Sequence, residues 1–180
     1  MRTTFTSMCA MAALVAALWV SPVLAADVTV TATILSVSVS VTSGSPVAFG
    51  IVAASSTTRS TVAAVIANDG NVDETYSLSL TDPVADWTFH ATTPGANVYV
   101  LSAMFSTAAP GAAFGAEDAL TDTPAACTAA KFGNTAAAES GLVVPESEAR
   151  NLWLEFKAPT TTSSYAQKTI TVTITAADAS

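Results

Sequence analysis

An all-β sandwich is the fold that the sequence predicts, and three observations predict it. Apolar and polar residues alternate with period 2 in several short runs, most regularly near the two ends of the chain. Turn-forming clusters separate the runs: Ser43-Gly44-Ser45-Pro46, Asn68-Asp69-Gly70-Asn71, Asp82-Pro83 and Pro94-Gly95. The runs are short and recur at the spacing of sandwiches and barrels.

The chain opens with the three-part pattern of a secretory signal. Arg2 is the positive n-region, residues 8–20 are apolar, and Val23-Leu24-Ala25 supplies small residues for cleavage after Ala25 or Ala26. The apolar run is shorter than the roughly 18 to 20 residues that cross a bilayer. Residues 1–25 are therefore expected to be a signal peptide and 27–176 a single domain, with no transmembrane segment in the mature chain. The product is expected to be secreted, periplasmic or at the cell surface. Cleavage removes Arg2, leaving five basic residues against fourteen acidic ones, a net charge of −9 that disfavours nucleic acid. It also removes Cys9, so Cys127 is left without an intramolecular disulfide partner and stability must come from packing.

In the first predicted strand Val28, Val30, Ala32 and Ile34 share one face, with Thr29, Thr31 and Thr33 on the other. The apolar set then switches to odd positions, Leu35, Val37, Val39 and Val41, which requires a bulge or a crossing between sheets. Further strands are expected at 47–52, 61–67, 74–81, 86–92 and 98–106, with Tyr76, Leu78, Leu80, Trp87 and Phe89 pointing inward. Residues 107–149 interrupt the pattern as a long Ala-rich excursion, in which Thr123-Pro124 and Gly133 bracket a short predicted helix over 124–132. Leu152, Leu154 and Phe156 form the next apolar face, and Ile170, Val172 and Ile174 that of the last strand, opposed by a row of threonines.

Val47-Ala48-Phe49-Gly50-Ile51-Val52, followed by Val65-Ile66-Ala67-Asn68-Asp69-Gly70-Asn71, resembles the signature of Hydin-type, major-sperm-protein-like immunoglobulin domains. Val143-Val144-Pro145, Leu152-Trp153-Leu154, Pro159 and the final strand are similar to the closing strands of bacterial surface immunoglobulin-like domains. The resemblance covers about half of the mature chain. It implies an immunoglobulin-like sandwich in a surface or scaffold setting, and no reaction.

No catalytic constellation is legible, and the protein is not expected to be an enzyme. His90 is the sole histidine and lies on the face opposite Trp87 and Phe89, whereas a triad needs base and orienter together. Asp69, Asn71 and Asp73 have the opening spacing of a calcium loop, but Glu74 stands where glycine is needed and Leu80 where the bidentate acid belongs. A turn explains the same residues. No metal or other cofactor is implied.

Two functions remain. The leading expectation is an exported structural or surface protein whose partner is a protein or a further copy; Val28, Val30 and Ile34 lie on a terminal strand that either pairs within its own domain or detaches, which would make the protein a strand-exchanging assembly subunit. The alternative is an adhesive module for a glycan or protein, contacted through Trp153, which by parity faces away from Leu152 and Leu154, through Tyr99, or through loop residues.

Overall fold

A computed structural model describes residues 31–81, 86–111, 114–133 and 139–180. The predicted signal peptide, Val28 and Val30 lie outside the described residues. The chain divides into two units, Met1–Thr33 and Ile34–Ser180. In the first, residues 31–33 are described; they are exposed and carry no strand.

The second unit is nearly all β. Its strands are β1 (Val39–Ser43), β2 (Thr57–Arg59), β3 (Ala64–Asn68), β4 (Glu74–Thr81), β5 (Thr88–Phe89), β6 (Val98–Phe105), β7 (Ala125–Ala126), β8 (Ala149–Lys157) and β9 (Thr171–Asp178). One sheet runs β1-β3-β8-β6-β5, with β2 also on β8; the other runs β7-β4-β9. Both contribute to one core, in which Ile66, Leu101, Phe105 and Leu152 of the first sheet meet Tyr76, Leu78 and Leu80 of the second.

β2 and β3 lie along the same edge of β8, in registers that differ by two residues: Arg59 faces Glu155, but Ala64 faces Leu152. Residues 60–63 bulge between them. Ser60 keeps the ladder closed there, donating its N–H to the Leu154 carbonyl (2.9 Å) while its hydroxyl oxygen accepts the Leu154 N–H (3.1 Å).

The expected strand at 74–81 forms with those limits, and its inward set Tyr76, Leu78 and Leu80 is buried, as are Leu152, Leu154 and Phe156. Trp87 and Phe89 are half-buried against the same core, where Trp87, Tyr99, Phe156 and Phe49 form a ring cluster with centroids 5.6–6.2 Å apart.

Several predicted elements differ. Residues 47–52 form no strand, because Gly50 takes φ +68°, a left-handed conformation that interrupts the extended backbone. Their Val47, Phe49 and Val52 still pack on the core. The predicted strand at 86–92 shrinks to β5. The helix expected over 124–132 does not form: Ala125 and Ala126 pair with Leu78 and Ser77, the Cys127 N–H bonds to the Tyr76 carbonyl (2.8 Å), and Phe132 takes φ +59°. Nine residues form at best a marginal helix alone, so strand pairing overrides alanine's propensity. The helical turn of the excursion lies instead at Ala116–Asp118, as a 3-10 segment. Among the described residues, no helix is long and apolar enough to cross a membrane.

Candidate functional site

The two sheets end, on one side, in β1 and β9. Among the described residues each has a strand partner on one edge only. Among the described residues the opposite edges have no strand partner, and which backbone groups face that way follows from the ladder. Ala179 donates its N–H to the Asp73 carbonyl (2.9 Å), whereas Glu74, Tyr76 and Leu80 bond away from β9, to Val144, Gly141 and Thr121. Odd-numbered residues of β9 therefore bond to β4, and the N–H and C=O groups of Val172, Ile174 and Ala176 face outward.

Side chains of the same three residues point inward, because they share rungs with buried partners: Val172 with Leu80, Ile174 with Leu78, Ala176 with Tyr76. Leu78 is fully buried, yet Ile174 beside it is only half-buried, as are Val172 and Ala176. On the facing strand, Val41 pairs with Ile66 and so also points inward, but it is 46% exposed. The core is thus open to solvent along the seam between β1 and β9.

The two edges differ in how they are protected. β1 ends in a register irregularity between Val41 and Ser43, and bulges of this kind discourage pairing with another chain. β9 has no such guard over residues 171–177, which contain neither lysine, proline nor any charge.

Beside the end of β9, residues 34–38 are held on the loop that joins β3 to β4. The Ser36 N–H donates to Asn71 Oδ1 (2.8 Å), the Asn71 N–H to the Ser36 carbonyl (3.0 Å), and Asn71 Nδ2 to the Ile34 carbonyl (2.9 Å). The Asp69 N–H donates to the Ser38 carbonyl (2.7 Å), and the Ser38 N–H donates to Oε1 of the fully buried Glu74 (2.6 Å). Asn68, also buried, closes the loop by donating to the Val72 and Val144 carbonyls and accepting the Gly70 N–H. A cleft lined by Leu35, Val72, Val143 and residues 178–180 lies at this end of the seam.

Of the residues singled out in the sequence, Ile34 lies at this end of the seam, 86% exposed. Val28 and Val30 are outside the described residues. Trp153 is elsewhere, opposite Met104 on the outer face of the first sheet; it is half-buried and donates its indole N–H to the Ser106 carbonyl (3.0 Å). On that face the excursion folds over: Arg59 bonds Glu155 (2.7 Å), reaches the Pro110 carbonyl (3.4 Å) and lies 5.6 Å from the Phe114 ring centre. Tyr99 is fully buried and offers no surface to a ligand.

His90, Cys127 and Asp118 are each engaged in structure. His90 Nδ1 accepts the N–H groups of Thr92 (3.2 Å) and Thr93 (3.1 Å), closing a turn. Cys127 is buried, and that burial pushes its thiol pKa up to about 12. Asp118 is buried and accepts the N–H groups of Gly115 (2.8 Å) and Phe132 (2.9 Å); burial nonetheless holds its carboxyl above the usual value. Among the described residues, no three His, Cys, Asp or Glu side chains are grouped to hold a metal.

Sequence reasoning missed Glu74 as an anchor for the segment that leads into β1. Its position, at the start of a strand and followed by inward Tyr76 and Leu78, carried the signal that it too points inward. No family model matches the chain, and neither a curated protein nor a solved structure does.

Proposed function

We propose that the chain is an exported, non-enzymatic structural subunit that assembles by strand addition at the seam between β1 and β9. One observation carries this reading: the rung Leu78–Ile174 is buried at one residue and half-open at the other, on the inward face of an unguarded edge strand. An added strand would bond to the outward groups of Val172, Ile174 and Ala176 and drop alternate side chains into the open core.

The immunoglobulin-like reading of the fold supports the proposal. Strands β1, β3, β4, β6, β8 and β9 match strands A to F of that sandwich in chain order and in sheet position, with β1-β3-β8-β6 in place of A-B-E-D and β4-β9 in place of C-F. The place beside F, where G belongs, is the outer edge of β9. For a glycan-binding role through Trp153, the indole N–H is already committed to Ser106.

Light scattering and electron microscopy of the signal-cleaved protein test the assignment. Filaments or ordered arrays are the expected result; a monomer at every concentration would overturn it.

A further inference from the structure

We infer that the occupant of the seam is the segment 27–34 of a second copy of this chain, an inference that rests on the strand-assembly reading and names its partner.

The seam specifies its occupant closely. The occupant must be extended, with apolar side chains at every second position to fill the gap left among Val41, Val172, Ile174 and Ala176. Its other face must continue an outer sheet surface made of Thr75, Ser77, Ser79 and Thr81 on β4 and Thr171, Thr173 and Thr175 on β9, where Thr81 and Thr173 already meet at 3.5 Å. Val28-Thr29-Val30-Thr31-Ala32-Thr33-Ile34 has this pattern: four apolar residues on one face and three threonines on the other. Threonine pairs across neighbouring strands are favourable. At about 3.3 Å per residue the seven residues span roughly 23 Å, close to the length of an eight-residue strand such as β9.

The path of the chain selects a second copy over the first. Residues 34–38 run into β1 with no turn, bend or left-handed residue, and are pinned there to Asn71, Asp69 and Glu74. For the same chain to lay residues 27–34 along its own β9 it would have to reverse direction within this pinned stretch. Each copy therefore offers one open seam and one donor segment. Such a contact is head-to-tail, and it propagates into a filament unless its rotation closes it into a ring.

The test uses the full-length chain exported and cleaved by the cell. Thr31→Cys protein is mixed with proteins carrying Thr171→Cys, Thr173→Cys or Thr175→Cys in turn, and a short bismaleimide is added; buried Cys127 supplies no competing thiol. Covalent heterodimers between the two populations are the expected result. A chain carrying Thr31→Cys together with Thr173→Cys should give a ladder of multimers. Cross-linking confined to single chains at every concentration would overturn the second-copy assignment. Deleting residues 27–33 should abolish assembly, and a peptide of residues 27–34 should then raise the melting temperature of the deleted chain, showing that it is folded with its seam open. Assembly that persists in the deleted chain would overturn this inference but leave strand addition standing. A full-length chain that never assembles would sink both.

Discussion

Leu78 and Ile174 occupy the same rung of the second sheet and point into the same core, so truncating each to alanine compares a closed position with an open one. Leu78 is fully buried, and its replacement should cost about 3–4 kcal/mol, the transfer free energy of the lost carbons plus the cavity they leave. Ile174 is half-buried. Its truncation in the monomer removes about half of the corresponding burial and leaves a gap that water can enter, so a cost of about 1–2 kcal/mol is expected. Strand addition closes the seam and makes the two positions alike. In the assembled protein Ile174→Ala should then cost about as much as Leu78→Ala, while the Leu78→Ala penalty stays the same. Urea unfolding followed by tryptophan fluorescence, on the chain lacking residues 27–33 and on the assembled full chain, measures all four values. An Ile174→Ala cost in the truncated monomer equal to that of Leu78→Ala would mean that the seam is already closed and would refute the reasoning.

Other consequences can be checked on the monomer. Asp118→Ala strands the N–H groups of Gly115 and Phe132 and should lower stability by about 2–4 kcal/mol in urea titrations. Because the Asp118 carboxyl titrates above its unfolded value, its contribution to stability should rise as pH falls through the folded pKa and level off below the unfolded one. Cys127 should resist maleimide at pH 8 until the protein unfolds. Its thiol pKa moves from 9.0 to about 12, so stability should fall as pH rises above about 9, where the unfolded thiol ionises first. Gly44→Ala should cost about 2 kcal/mol or more, since Gly44 sits at φ +74° and an added methyl would overlap the Ala63 carbonyl; thermal melts would show it.

The regular parts of the fold were legible where alternation and burial coincide. Residues 74–81 gave limits and inward face together, because Tyr76, Leu78 and Leu80 alternate with threonine and serine between clear turn signals. The same logic misled at 47–52, where apolar residues pack on the core from a loop and Gly50 breaks the strand. In the excursion, alanine content pointed to a helix, but pairing of Ala125 and Ala126 with β4 is a long-range choice that local propensity cannot reveal. Half of the candidate site was visible: the Thr-flanked alternation of the last strand and the change of phase at Ile34 and Leu35. The open seam itself was not. Whether Ile174 is covered depends on what lies beside β9, and its own side chain is the same either way.

Hydrogen exchange at the backbone amides of β9 tests the central claim most directly. In the dilute monomer, the amides of Thr173 and Thr175 should be protected by β4, whereas those of Val172, Ile174 and Ala176 should exchange rapidly at the open edge. On assembly the second set should become protected as well. Protection of all five in the monomer, or continued rapid exchange of Val172, Ile174 and Ala176 in the assembled protein, would contradict the account.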